Sequence, residues 1–188
     1  FTHRHFDPTE ALSRFAELTG APSRSVDLEF TRGAAPLVDG ETIDVDGLQL
    51  EVVTTPGHTT DSTCFRLVAD GSLLSGDTIL GRGTTVIAHP DGVLGPYLDS
   101  LAHIRELIEE GLVTRILPGH GPVIDQPAAV VDFYLEHRAE RLDQVREAVE
   151  AGAVTPREVV ERVYSDVDPI LWGAAELSVA AQLDYLKG

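Results

Sequence analysis

Cysteine is almost missing from this chain: Cys64 is the only one, so no internal disulfide can form, and a reducing, cytoplasmic setting is the expectation. Methionine is absent altogether. The chain opens at Phe1 and places its first candidate functional side chain at position 3, which reads as a fragment of a longer product. No apolar run approaches the roughly 20 residues that a membrane-crossing helix needs, so no membrane partner is expected. Basic residues are scarce, with 14 Lys and Arg against 31 Asp and Glu and a formal net charge of −17. A chain of that sign has little general means of neutralising nucleic-acid phosphates. What remains is 43% hydrophobic over 188 residues, enough for one sizeable core and a small appendage.

Strand signals dominate the middle of the chain. Thr42 to Val45 and Leu48 to Thr54 are rich in Val, Ile, Leu and Thr and flank Asp46-Gly47, the residue pair of a tight hairpin turn. Ser62 to Val68 and Ser72 to Ser75 predict a second hairpin around Asp70-Gly71. Thr114 to Leu117 is a short apolar run that stops at Pro118. Helical spacing marks Thr9 to Leu18, Tyr97 to Glu110 and a helical tail. Cys64 falls inside a predicted strand, where a buried small hydrophobe is the better reading than a nucleophile.

The polar chemistry is concentrated at the ends of these elements. His58 follows the first hairpin, Asp77 follows the second, and His120 follows the run at 114 to 117, each in a Gly-flanked loop. Loops at strand ends are where catalytic groups collect, and in a layered α/β fold the three can converge on one rim. Ahead of them lies Thr2-His3-Arg4-His5-Phe6-Asp7-Pro8. His3 and His5 are two apart on an extended segment, so both imidazoles point the same way and can reach one ion. Imidazole and carboxylate are the donors that zinc accepts in an enzyme that keeps a position open for water.

These residues together resemble the metallo-β-lactamase superfamily, from the His-x-His-x-Asp segment to the C-terminus. Leu117-Pro118-Gly119-His120-Gly121-Pro122-Val123-Ile124, the run Gly81-Arg82-Gly83-Thr84-Thr85-Val86 and the helical tail resemble its LACTB2-like hydrolase branch. The resemblance implies an αββα sandwich, here without its N-terminal strands, over residues 1–127, and a small helical winged-helix-like domain over 128–188. Sheet surface that such strands would cover is then expected to be exposed. It further implies that His3, His5 and His58 hold a first zinc ion, that Asp77 bridges, and that Asp7 and His120 hold a second. The family motif ends in a further His that also binds the second metal, and here that position is Pro8, which has no donor atom. Proline suits the first turn of a helix, so the expected loss is one ligand and not the local fold. One well-held zinc and a second that is weak or absent follow.

The tail predicts three helices, Val130 to Ala151, Pro156 to Tyr164 after Thr155 as N-cap, and Leu171 to Leu186. Residues 128–188 carry twelve Asp or Glu against six Lys or Arg, so nucleic acid is an unexpected partner and a packing cap is the preferred role. His89, His103 and His137 lie outside the strand-end loops, Tyr164 and Trp172 suit a small tail core, and Gly81-Arg82-Gly83 is a weak phosphate cradle.

The function expected from all this is a zinc-dependent hydrolase of a small-molecule ester or thioester that uses metal-activated hydroxide, with Asp7 as the catalytic carboxylate. Two alternatives stand beside it: a catalytically impaired metal-binding remnant, and an endoribonuclease or nucleic-acid binder. The β-lactam class is disfavoured because Asp77, and not a Cys, stands at the shared-ligand position.

Overall fold

The structure, a computed structural model, describes all 188 residues. Five strands form one mixed sheet in the order β1 (Thr42–Val45), β2 (Leu48–Thr54), β3 (Thr63–Leu67), β4 (Ser72–Gly76) and β5 (Arg115–Pro118). The first four are antiparallel neighbours, and β5 lies parallel to β4. The first hairpin has the predicted bounds. Asp46 and Gly47 both take positive φ, 52° and 89°, the backbone twist that a two-residue hairpin turn needs.

One sheet face presents Val53, Cys64, Leu73 and Ile116 to two helices, α3 (Leu94–Glu109) and α4 (Pro127–Glu150). Tyr97, Leu101 and Ile104 of α3 and Val131 and Tyr134 of α4 complete this core, all essentially without solvent contact. Burial of a side chain of this size contributes about 1.5–3 kcal/mol. Cys64 is fully buried, and that burial pushes its thiol up to about 11, so it packs and does not react. The opposite face carries Leu50, Phe65, Leu67, Leu74 and Leu117, each only partly buried, with Val52 fully covered among them. Apolar surface is thus left accessible on that side, as expected.

Helix α4 joins two cores. Its first half packs on the sheet, and its second half contributes Val145 and Ala148 to a smaller cluster with Val159, Val160 and Val179 from α5 (Pro156–Val163) and α6 (Trp172–Tyr185). Helix α5 starts on a capping box, in which Thr155 accepts from the Glu158 amide and Glu158 accepts back from Thr155. Tyr164 and Trp172 pack against this cluster, and the indole Nε1–H donates to the Val167 carbonyl. No helix is long and apolar enough to cross a membrane.

One predicted helix is broken. In place of a single helix over Thr9 to Leu18, a one-turn α1 (Phe6–Thr9) is followed by a turn and then α2 (Leu12–Thr19). The Thr9 hydroxyl donates to the His5 carbonyl at 2.7 Å, a local bond that competes with helix continuation. Pro8 sits within the first turn, where no amide hydrogen is required, so its ring is accommodated.

Candidate metal centre

Three strand ends meet the N-terminal segment at one rim of the sheet. His58 is delivered by the loop after β2, Asp77 by the loop after β4 and His120 by the loop after β5, while His3, His5 and Asp7 come from the segment that leads into α1. Close backbone approach makes this possible. A side chain at Gly57, which has φ of 139°, would place its Cβ 2.3 Å from the Tyr97 Cα, so only glycine lets the His58 loop lie on α3. Gly119 lies against Asp77, where a Cβ would come 2.9 Å from the carboxylate Oδ1.

The six predicted side chains form two groups. In the first, the ligating atoms of His3, His5 and His58 lie within 4.8 Å of one another, and the three rings stand edge to face at centroid separations of 4.7–5.1 Å. Tetrahedral zinc with nitrogen at about 2.0–2.1 Å would set such nitrogens roughly 3.3 Å apart. His58 Nε2 and His5 Nδ1 are already at 3.1 Å. In the second group are Asp7, Asp77 and His120, again with their donor atoms within 4.8 Å. Asp77 faces both: its Oδ2 lies 3.9 Å from His3 Nε2 and 3.8 Å from His58 Nε2, and its Oδ1 lies 3.6 Å from His120 Nε2.

Burial and bonding separate the groups. His3 is only 2% exposed, and its Nε2 is buried without a hydrogen-bond partner. An orphaned buried nitrogen is costly unless something binds it. Burial, followed by the charge of neighbouring His58, brings the His3 pKa down to about 4, against the opposing pull of Asp77. Burial also lowers His58, whose Nδ1 lies 2.8 Å from the Val86 carbonyl. A carbonyl only accepts, so Nδ1 carries the proton and Nε2 keeps its lone pair toward the cluster. A metal ion therefore fits the first group: three imidazoles, one with a buried nitrogen that has no hydrogen-bond partner, and a carboxylate edge beside them.

The second group is open to solvent. Asp7 and His120 are 53% and 59% exposed and bond to each other at 2.9 Å. Burial works to raise the Asp7 carboxyl, but the His120 hydrogen bond, a backbone hydrogen bond and the charges of His3 and His120 together hold it below its ordinary range. Pro8 lines the same depression, about 380 Å³ in volume, together with Asp7, Asp77 and His120, and offers it no donor. In the Gly81–Val86 run, Thr84 lines a different cavity against α4 and α6, and Arg82 is exposed. His103 is half exposed beside Glu106, and His89 and His137 also stand apart from the rim.

Sequence reasoning missed the residues that hold the ligand candidates in place. Arg4, between the two histidines, points to the opposite side and clamps the segment to the loop after His58, donating to Asp61 at 3.1 Å and Thr60 at 2.6 Å. The strict alternation of an extended segment was the available signal. Thr85 and Val86 were also missed: the Thr85 hydroxyl donates to the Asp77 carbonyl at 2.5 Å, and Val86 supplies the carbonyl for His58.

Comparison with known proteins gives the family of the chain. The Metallo-beta-lactamase superfamily profile matches residues 1–120, and the Beta-lactamase associated winged helix domain profile matches residues 155–187. A beta-lactamase-like protein 2 homolog from Caenorhabditis elegans is 42% identical over 129 residues, which is 68% of this chain and 41% of that protein. An atrochrysone carboxyl ACP thioesterase from Aspergillus chevalieri is 31% identical over 182 residues, 88% of this chain and 54% of that one. The chain spans about half the length of the curated relatives it matches. Among solved structures, a metallo-beta-lactamase family protein from Thermus thermophilus superposes with a TM-score of 0.70 at 24% identity, over 98% of this chain and 60% of that one, which supports the fold. The chain belongs to the metallo-beta-lactamase superfamily, with a winged-helix domain at its C-terminal end.

Proposed function

We propose that this chain acts as a zinc-dependent hydrolase of a small-molecule carboxylic ester or thioester. The observation that carries the reading is the buried, unpartnered His3 Nε2 at the centre of three imidazoles, with Asp77 turned toward both groups. His3, His5 and His58 would hold the first ion with Asp77 at its edge, and Asp7 and His120 would share a weaker second ion with Asp77. When bound, zinc lowers the pKa of water from about 15.7 to near 7 and polarises the scissile carbonyl. Asp7 is placed at the rim to orient the attacking water and accept its proton. His120 holds the Asp7 carboxylate in place through their mutual hydrogen bond.

Two further observations favour a thioester or activated ester. The second group has a single imidazole, so help for a poor leaving group is limited, and a thiolate needs less of it. A curated relative is named as an ACP thioesterase. A polyanionic RNA is disfavoured by the net charge of −17 and by the tail arginines: Arg146 pairs with Asp143, Arg157 pairs with Glu161 and Glu176, and Arg162 donates to helix carbonyls.

Metal analysis of the chain, followed by a panel of acyl thioesters and esters with zinc supplied, tests the reading. Tight binding of about one zinc with thioester turnover is the expected result. Binding without turnover across the panel would favour the metal-binding remnant, and two equally tight ions would remove the asymmetry assigned to Pro8.

A further inference from the structure

We propose that Arg138, on helix α4, is a positioning residue for the metal centre, through which the helix shared with the C-terminal domain sets the geometry of His58 and Asp77. The inference rests on the metal reading above. Arg138 is 5% exposed and donates from Nη2 to the Thr85 carbonyl. Thr85, itself buried, donates its hydroxyl to the Asp77 carbonyl at 2.5 Å. The next residue, Val86, accepts from His58 Nδ1 at 2.8 Å. His58 and Asp77 sit at the ends of different strands, and the Thr85-Val86 dipeptide bonds to both. Arg138 therefore fixes the segment that fixes two ligand candidates at once. One turn earlier on the same helix, the Tyr134 hydroxyl accepts from the Leu80 amide at 2.8 Å, which ties down the same loop nearer Asp77.

The chemistry of Arg138 is not what packing alone would select. Its guanidinium lies 5.2 Å from the centre of the Tyr97 ring, its Nε is buried without a partner, and it takes part in none of the ion pairs of the fold. A buried cation without a carboxylate is a costly way to fill a core, and an apolar side chain of similar length would fill the space at no such cost. What the guanidinium offers instead is a rigid planar donor for one carbonyl. Outer partners of this kind orient ligating imidazoles, and their loss costs about 10–100-fold in metal affinity. Helix α4 also carries Val145 and Ala148 into the second core, so the helix that presents Arg138 to the site loop is the one that packs on α5 and α6.

The test uses Co(II) titration of the metal-free 188-residue chain, followed by its visible absorption, beside thermal melting of the same metal-free samples. For Arg138→Met, about 10–100-fold weaker Co(II) binding and a changed band envelope are expected, with melting unchanged or raised. Arg138→Lys, which keeps one donor, should recover part of the affinity. Thr85→Val removes the hydroxyl bond to Asp77 while leaving the carbonyl, and should weaken binding by less. Unchanged affinity and spectrum in Arg138→Met would overturn the role of Arg138 alone. An affinity loss that only tracks a lowered melting temperature, with no recovery in Arg138→Lys, would also overturn it. No Co(II) binding by the unsubstituted chain would remove the metal reading and this inference with it.

Discussion

The two groups of ligand candidates share Asp77 yet differ in how their other atoms are satisfied. Two of the three histidines, His3 and His58, are buried while His5 is exposed, and the buried His3 Nε2 has no hydrogen-bond partner. Asp7 and His120 are more than half exposed and already satisfy each other at 2.9 Å. An ion entering the trio relieves an unpaired buried nitrogen. An ion entering the outer group must displace an existing hydrogen bond and compete with water. On the proposed reading, the burial of His3 and His58 and the orphaned His3 Nε2 point the same way as the ligand count, toward a tighter position at the trio.

Removing a member of the trio should break this contrast most severely. His3→Ala deletes the orphaned donor, and first-site affinity should fall on the order of 10²–10³-fold, with hydrolysis lost at ordinary zinc concentrations. Calorimetric zinc titration checks it, and retention of a tight ion would show that the trio is not the strong position. Asp77→Asn strikes both groups, because the amide is a poor ligand on either edge, so both affinities should fall by about 10–100-fold together. A loss confined to one ion would mean that Asp77 does not face both.

Much of this arrangement was legible in the sequence, and the reasons differ by element. Asp46-Gly47 specified a hairpin because few residue pairs adopt two consecutive positive φ values, and the strand bounds followed. His58, Asp77 and His120 were legible because each sits in a Gly-flanked loop at a strand end. Arg138 was not legible. It lies 53 residues from the carbonyl it serves, and a backbone acceptor leaves no residue-type signal at the other end. The break between α1 and α2 was hidden for a local reason, since the Thr9 hydroxyl bonds back to His5 in a stretch whose apolar spacing still reads as continuous helix.

A milder change can bias the contrast without removing a donor. In Gly119→Ala the added methyl meets Asp77 Oδ1, the oxygen turned toward His120, and Gly76 just behind it. The carboxylate must shift, and second-site affinity should fall by roughly tenfold while the first ion, facing Oδ2, is less affected. Paired dissociation constants from one titration decide it. An equal loss at both positions would mean that Asp77 moves as a whole.

Pro8→His is the most specific change, because it adds a donor instead of removing one. The site is prepared for it: Pro8 lines the depression that contains Asp7, Asp77 and His120, and it stands in the first turn of α1, where any residue keeps the helix. The substitution should change the melting temperature little, since Pro8 is only partly buried and its place in the first turn requires no amide hydrogen bond. A second imidazole beside His120 should raise second-site zinc affinity by about tenfold, since nitrogen donors dominate zinc binding in such a set. Turnover should rise more for alkyl esters than for thioesters, because leaving-group stabilisation matters most where the leaving group is poor. A second ion that binds no tighter would show that solvent exposure and the Asp7–His120 bond, and not the missing imidazole, limit the outer position.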